Sequence, residues 1–332
     1  MTTRTTQATK TAKRRLLKLA AGLAVAALAG AGQAAPWPTQ PIRLVVPFAA
    51  GGLTDVLARQ LSRTMQAELK QPVVVDNKPG AGGIIGADIV AKSSPDGYTL
   101  LVTTTAHVVN PAVAKSLPYD TEKDFAPIAK LVSTPTVLAV NPAVPATNLR
   151  ELIAYAQRSG GVTYGSSGPG GITHLSGELL AARTGAPFVH VPYKGTALAV
   201  NDLLGGQINA SFIDALTATR FVESGKLRAI GVTTATRNAA LPGVPTLAEQ
   251  GVPGYDTEIW IGFYAPAGTP PGRLAQLNRL AVASMNEPGF RATLQQQGTT
   301  AATMGLADFQ AYVASEIGKW RAVVQTAHIE QQ

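Results

Sequence analysis

Two patterns of hydrophobic residues alternate along most of the chain. Short apolar runs predict buried strands, and segments with apolar residues three or four positions apart predict helices with one buried face. The predicted strands are 44–46, 73–75, 99–102, 136–140, 162–164, 188–191, 208–212 and 227–232. The predicted helices are 53–69, 84–92, 149–158, 173–184, 196–204, 215–224, 271–284 and 306–326. This alternation predicts an α/β fold in which helices cover buried, mostly parallel strands.

Two extended runs that end in proline, 136–142 and 260–266, predict where the chain passes between two lobes. If the chain leaves one lobe at the first run and returns at the second, lobe 1 is 36–138 plus 260–332. Lobe 2 is then 139–259. Two such connections form a hinge, and the cleft between the lobes is the expected ligand site.

Residues 1–35 predict a cleavable signal peptide. Six basic residues and no acidic residue accompany a weakly hydrophobic stretch, 19–30, and small residues precede the expected cleavage after Ala34 or Ala35. The apolar stretch is short for the alternative, a membrane anchor. The paired arginines at 14–15 leave both the Sec and the twin-arginine export routes open.

The formal charge of +8 is concentrated in this leader. Without it, 22 basic residues face 20 acidic ones, so the sequence predicts no nucleic-acid partner. The chain contains no cysteine, which excludes disulfides, thiolate metal sites, a cysteine nucleophile and a lipid-modified N-terminal cysteine. An exported chain without a lipid anchor or a second apolar span is expected in the periplasm.

The glycine-containing turn 47–52, which joins a predicted strand to helix 53–69, is the first candidate binding element. The backbone N–H groups of 49–54, together with the helix dipole, would hold a carboxylate, and Thr54 would add its hydroxyl. A structural turn, in which Asp55 complements the start of the helix, explains the same residues equally well.

The loop 165–171 repeats this strand, glycine loop and helix arrangement in lobe 2. Ser166, Ser167 and Thr173 add hydroxyl donors to its backbone amides. Two such loops, one from each lobe, would grip a single anion from both sides without a charged side chain.

Ligands of open α/β sheets bind beyond the carboxyl ends of the strands. This rule brings the turn 193–196 and Asp214 near the cleft. The loop 103–105 and His107 follow another predicted strand and are further candidates for ligand contact. For Lys194, a plain surface turn is an equal alternative.

Several patterns argue against catalysis and cofactors. The turn 78–88 resembles a dinucleotide fingerprint but has Ile85 at the third glycine position, so we expect it to shape the wall of the cleft. Pro169 replaces the last glycine of a nucleophile elbow. The four histidines lack metal-ligand spacing, and His174 is expected to pack or hydrogen-bond at the start of its helix. No catalytic residue, metal or cofactor is therefore predicted.

Short motifs spread over the whole mature chain resemble those of one family. They are WP at 37–38, PF at 47–48, GG at 51–52, NKPGAGG at 77–83, PDGYTL at 95–100, YGS at 164–166, PYKG at 192–195, SGKLR at 224–228, PT at 245–246 and AP at 265–266. Together they resemble the Bug-type substrate-binding receptors of tripartite tricarboxylate transporters.

The resemblance implies a type II periplasmic binding protein fold, in which two α/β lobes close on a small organic acid and deliver it to a membrane permease. It also implies that two loops, here 48–54 and 165–173, clamp a ligand carboxylate, often through ordered waters. Ala50 stands where many relatives have proline, which is expected to alter loop stiffness. We expect a monomer. The expected ligand contacts are Phe48, Ala49, Ala50, Gly51, Gly52, Thr54, Thr104, Thr105, Ser166, Ser167, Gly170, Thr173, Gly195, Thr196 and Asp214.

An exported hydrolase or lyase that acts on a small organic acid on the same scaffold is the alternative function. Such an enzyme needs a base or a nucleophile that a neighbouring group orients. The sequence contains no recognisable arrangement of this kind, so a receptor that binds without reaction is favoured.

Overall fold

The computed structural model describes residues 37–193, 195–296, 298–302, 304–327 and 329–331. Residues 40–332 form one compact unit. The predicted signal peptide and Lys194 lie outside the described residues. No helix in the described ranges is long and apolar enough to cross a membrane.

The helices and strands follow the predicted order. The strands are β1 Ile42–Val46, β2 Val73–Asn77, β3 Thr99–Thr104, β4 Phe125–Val140, β5 Val162–Ser166, β6 Phe188–Pro192, β7 Ala210–Asp214, β8 Arg228–Val232, β9 Glu258–Pro266 and β10 Thr300–Ala301. The α-helices are α1 Leu53–Leu69, α2 Ile84–Ala91, α3 Ala106–Val113, α4 Leu149–Ser159, α5 Ile172–Thr184, α6 Thr196–Leu204, α7 Ala215–Glu223, α8 Pro271–Met285, α9 Pro288–Gln296 and α10 Leu306–Thr326. A short 3-10 helix spans Ala81–Gly83. The predicted helices are confirmed, and their ends differ by at most one residue.

Helix α1 shows why the periodic pattern predicts the helices well. Leu57, Leu61 and Met65 recur every fourth residue and are fully buried where α1 contacts β1, β2 and α8. The helix ends at Lys70, whose left-handed backbone closes the last turn by donating its N–H to the carbonyl of Gln66.

The hydrophobic pattern does not predict several proline-containing segments. Helix α3 contains Pro111, and α9 begins at Pro288. The first part of β4 contains Pro127, beside a shift in its register with β9, and Pro135, where the strand changes partners. A strand tolerates proline at such irregular positions, which periodicity along one segment does not reveal.

The strands form a continuous sheet in the order β2-β1-β3-β9-β4-β7-β5-β6, and β10 and β8 also pair with β4. Residues 125–135 of β4 pair with β9, and residues 136–140 pair with β7 and β8. Strand β4 therefore belongs to two halves of the sheet. The exact lobe boundaries, 36–138 with 260–332 and 139–259, stay a prediction.

The expectation of mostly parallel strands is wrong for the centre of the sheet. The outer pairs β1–β2, β1–β3, β5–β6 and β5–β7 are parallel, as helical crossovers require. In the described sheet, β4 and β9 run antiparallel to all of their partners. The reason is that these two strands carry the chain between the halves in opposite directions, whereas the outer strands arise from repeated strand, helix and strand units.

Helix α10 packs against both halves of the sheet, because it contacts α3, β4 and α5. Its buried Glu316 accepts hydrogen bonds from the indole N–H groups of Trp260, 3.3 Å away, and Trp320, 3.2 Å away. Glu316 also pairs with Lys319. A buried carboxylate that is bonded on several sides stabilises the position of the helix, since displacing the helix would separate the charge from these partners.

His107 lies in the core and not in the cleft. This position corrects the prediction that His107 is a candidate for ligand contact. Its ring is 2% exposed and packs against Tyr119, Phe125 and Tyr264, with centroid distances of 5.9, 4.5 and 4.9 Å. Among the described residues, neither ring nitrogen has a hydrogen-bond partner. Burial lowers the pKa of His107 from 6.5 to about 3, so the imidazole stays neutral in the folded protein.

The buried imidazole makes stability depend on pH. Below pH 6.5 the unfolded chain protonates His107 while the folded chain does not, so acidification favours unfolding. Between pH 7.5 and pH 5, protonation of His107 in the unfolded chain should lower the unfolding free energy by about 2 kcal/mol. Urea denaturation at several pH values should show this loss, and His107→Leu should flatten the profile by that amount. An equally steep profile in His107→Leu would contradict the assignment.

Candidate functional site

The loop after β1 is built around a buried carboxylate. Asp55, which is 3% exposed, accepts hydrogen bonds from the Gly51 N–H at 2.9 Å and from Arg59 Nε at 2.8 Å. Asn77 Nδ2 donates to Asp55 Oδ1 at 3.0 Å and to the Phe48 carbonyl at 3.1 Å. The hydrogen bond from Arg59 is the main reason that the pKa of Asp55 falls to about 2. The loop is therefore held by an ionised side chain of the first helical turn.

This geometry matches the structural alternative for the first loop and corrects the expectation for one amide. The Gly51 N–H is donated to Asp55, so in this structure it does not face a ligand. Gly51 has φ +88°, a left-handed conformation that glycine adopts without strain. Ala49, Ala50 and Gly52 are exposed, and the amides at the start of α1 have no intrahelical acceptor.

The loop after β5 also satisfies most of its own amides. The N–H of Ser167 donates to Thr173 Oγ1, and that of Gly168 donates to Ser166 Oγ. The N–H of Gly170 donates to His174 Nδ1 at 3.0 Å, which confirms a hydrogen-bonding role for His174 at the start of α5. The hydroxyls that were expected to face the ligand therefore serve first to fix the loop, because they are the nearest acceptors for its backbone.

A buried polar network that the sequence did not predict lies beneath this loop. Ser166 Oγ and His190 Nε2 are hydrogen-bonded at 2.6 Å, and the rings of His190 and His174 stack with centroids 3.8 Å apart. The Tyr164 hydroxyl donates to Glu178 Oε1 at 2.6 Å, and His174 Nε2 lies 3.6 Å from the same oxygen. Burial is the main cause that lowers the pKa of His190 to about 4. In the sequence, the four-residue spacing of His174 and Glu178 is the only indication of this network.

A cavity of about 460 Å³ lies between the two halves of the sheet. Its walls come from the turn at 81–84, from α3 and from the loop at 169–171. The turn is left-handed, with φ values of +47°, +62° and +95° at Ala81, Gly82 and Gly83. A left-handed alanine is uncommon and is typical of segments held for a binding function. The turn that was expected to shape the cleft wall therefore lines a cavity.

Close backbone contacts connect this cavity to both candidate loops. Gly83 lies against the ring of Phe48, because a side chain at Gly83 would place its Cβ 3.5 Å from Phe48 Cζ. Gly170 lies against Val113 of α3, with a corresponding distance of 3.2 Å to Val113 Cγ2. Phe48 therefore contacts the turn, and Gly170 contacts α3 in the lining of the cavity.

Of the fifteen expected ligand contacts, only Gly170 is in the described lining of the cavity. The Thr104 hydroxyl accepts from the Ala106 N–H, and Asp214 caps α7 by accepting from the Thr217 N–H at 2.9 Å. Gly195 and Thr196 lie at the start of α6.

Thr105 has a structural role in this geometry. Its hydroxyl accepts from the Trp260 N–H at 2.8 Å and donates to the Trp260 carbonyl at 3.2 Å, so it joins the end of β3 to β9. With 1% of its surface exposed, it is committed to the sheet and does not project into the cavity.

A known family matches most of the chain. The model described as "Tripartite tricarboxylate transporter family receptor" matches residues 57–329. The chain belongs to this family. It is 38% identical to Protein BugT of Bordetella pertussis over 306 residues, which cover 90% of this chain and 94% of BugT. The predicted Bug-type receptor family is therefore confirmed.

Solved structures of this receptor family share the fold. A TctC solute binding protein from Polaromonas, with no ligand, has a TM-score of 0.78, 31% identity and coverage of 87% of this chain and 99% of that chain. Rpa4515 from R. palustris with adipate has a TM-score of 0.74 and 36% identity, over 89% of this chain and 100% of that one. MatC from Rhodopseudomonas palustris, with bound malate, has a TM-score of 0.71 and 31% identity, over 87% and 100%. The two-lobe periplasmic binding fold is thus confirmed.

Replacement of Asp55 tests the anchor of the first loop. Asp55→Ala should lower the unfolding free energy by about 1–3 kcal/mol, because the amides of Gly51 and Asn77 lose a buried acceptor. Urea denaturation measures this loss. Arg59→Ala is the control, since it removes only a half-exposed partner and should cost clearly less. Equal losses in the two variants would mean that the ion pair, not the amide contacts, holds the loop.

Proposed function

We propose that this receptor captures a small carboxylated organic compound between its two lobes and delivers it to a tripartite tricarboxylate transporter permease. The observation that carries the proposal is the cavity of about 460 Å³ between the turn 81–84, helix α3 and the loop 169–171. Its volume lies in the range of small-molecule sites, and its walls come from both halves of the sheet.

The backbone supplies the means to hold an anion. The described lining of the cavity contains no charged side chain, so a carboxylate there would be bound by N–H groups. Gly170 and Gly171 lead into α5, a helix of 13 residues whose first amides have no intrahelical acceptor. These amides and the positive end of the helix dipole favour a carboxylate next to Gly171. The start of α1, after the exposed residues 49–52, offers the same chemistry from the other lobe.

Related receptors support a carboxylate ligand. Rpa4515 is a relative with adipate, and MatC is a relative with bound malate. Both ligands are small organic acids, although they differ in length and polarity. The shared feature is the carboxylate, which agrees with recognition by backbone amides rather than by side chains specific to one acid.

Closure of the lobes about β4 and the connection into β9 would complete the site. Residues 36–138 with 260–332 form lobe 1 in this proposal, and 139–259 form lobe 2. The change of partners along β4 after Pro135 supports a hinge at this place. Only a few backbone dihedral angles need to change at two crossings for the loops to approach one another.

The proposed location is the periplasm, reached by export with the signal peptide 1–35. The partners in this proposal are the carboxylate ligand and the permease subunits in the membrane, and the receptor acts as a monomer. The near balance of charge in the mature sequence supports the exclusion of nucleic acid.

We infer that the protein is not an enzyme. The contact between Ser166 and His190 resembles half of a catalytic triad, but Ser166 is only 1% exposed. In the described part of the chain no carboxylate is hydrogen-bonded to His190, and burial keeps its imidazole neutral. A serine nucleophile needs an accessible oxygen and an oriented base. The network instead positions the loop after β5, so the hydrolase or lyase alternative has little support.

Ligand binding should stabilise the purified mature protein. We expect a dissociation constant in the micromolar range or tighter for at least one acid in a panel of mono-, di- and tricarboxylates and aromatic acids. At 100 times the dissociation constant, the unfolding free energy should rise by about 2.7 kcal/mol. Thermal denaturation followed by fluorescence measures this effect. A folded protein that shows no shift with any acid would refute the receptor function.

Two glycines with the same backbone conformation provide a matched test of the second loop. Gly170 has φ +68° and lies 3.2 Å from Val113 Cγ2 when a Cβ is added, whereas Gly185, at φ +66°, has nothing within 4 Å. Each alanine variant should cost about 1–2 kcal/mol of stability from the left-handed conformation. Only Gly170→Ala should also weaken binding of the best acid, by about ten-fold or more in calorimetric titration. Equal affinities in the two variants would remove the loop at 169–171 from the site.

A further inference from the structure

We propose that the ligand carries a single carboxylate and an uncharged, largely apolar remainder, and that Asn110 recognises a polar group on that remainder. This inference rests on the proposed function and specifies the class of ligand. It comes from the composition of the cavity wall, because the sequence alone did not show which residues line the cavity.

The part of the wall that the structure describes is apolar apart from backbone groups and one amide. The side chains of the turn and of α3 that line the cavity belong to Ala81, Ile84, Ala106, Val113 and Ala114. The loop after β5 contributes residues without polar side-chain atoms. The lining residues of this cavity are Ala81, Gly82, Ile84, Ala106, Asn110, Val113, Ala114, Pro169, Gly170 and Gly171.

A second carboxylate on the ligand would have no charged partner among the described residues of this wall. A buried charge without a partner is strongly disfavoured, and a single amide compensates only part of the lost hydration. In the proposed function the starts of α5 and α1 hold the same carboxylate from opposite lobes, so neither remains for a second one. A dicarboxylate of the right length would therefore place its other charge against the methyl groups of Ile84 and Val113.

Asn110 is the exception in the wall. Its residue is 8% exposed, and its Nδ2 donates to the Gly82 carbonyl at a long distance of 3.4 Å. The Asn110 amide also interacts with the Tyr119 hydroxyl. These two contacts involve the donor side of the amide, so its oxygen is left as an acceptor for a ligand group. A hydroxyl on the ligand suits this oxygen better than a second anion.

Acids of matched length and shape test the charge of the remainder. Hexanoate and adipate have the same number of carbon atoms, and 4-methylbenzoate and terephthalate have the same shape. We expect the monoacid of at least one pair to bind ten-fold or more tightly than its diacid partner in calorimetric titration. Within a series of straight-chain monoacids that still fit, each added methylene should tighten binding by up to about four-fold, the equivalent of about 0.8 kcal/mol.

Substitution of Asn110 tests its own role. We expect Asn110→Leu to weaken the affinity for 6-hydroxyhexanoate by about ten-fold and to change the affinity for hexanoate by less than three-fold. A thermal unfolding curve first confirms that the variant is folded. Val108→Ala is the comparison variant, because Val108 is a buried α3 residue that is not among the described lining of the cavity; it should change the affinities for both acids by the same factor.

The outcomes separate this inference from the function on which it rests. If adipate and terephthalate bind more tightly than their monoacid partners, the receptor function stands and the inference is wrong. An equal loss of affinity for both acids in Asn110→Leu would overturn the proposed role of Asn110. Absence of binding by every acid, with folded protein, would refute the proposed function itself.

Discussion

The backbone hydrogen bonds of strand β4 connect the two halves of the sheet, and the position of every binding element depends on them. Residues 125–135 pair with β9, whereas residues 136–140 pair with β7 and β8. Threonine hydroxyls on either side of Pro135 reinforce the change of partners, since Thr136 bonds Thr233 at 2.8 Å and Thr134 bonds Thr299 at 3.1 Å. Motion between the halves must therefore bend a paired strand, which limits it to a few dihedral angles.

The binding loops resemble each other in how they are held. In each, a side chain from the first turn of the following helix accepts a loop amide: Asp55 accepts from Gly51, and His174 accepts from Gly170. This capping fixes the loop before any ligand arrives, which reduces the ordering that binding requires. It also leaves the amides of the helical turns as donors, so in the proposed function the helix starts, and not the glycines themselves, hold the anion.

The described lining of the cavity has no charged side chain, which has consequences for selectivity in the proposed function. Backbone amides recognise a carboxylate in any small acid, so they provide affinity but little discrimination. Discrimination must then come from what the apolar wall and Asn110 exclude or accept. In this proposal, relatives with different bound acids, such as adipate and malate, would share the loops and differ in the wall.

The sequence by itself determined eight of the ten described α-helices, the outer strands, the two glycine-containing loops and the family, because periodicity and turn chemistry act between residues close together in the chain. The tertiary structure decided the antiparallel centre, the burial of His107 and the partners of the loop amides. Those features depend on contacts between distant residues, as when Asn77 reaches Phe48 or His190 reaches Ser166. The cavity belongs to this second group, since the turn 81–84 meets the loop 169–171 only after both halves of the sheet have folded around β4.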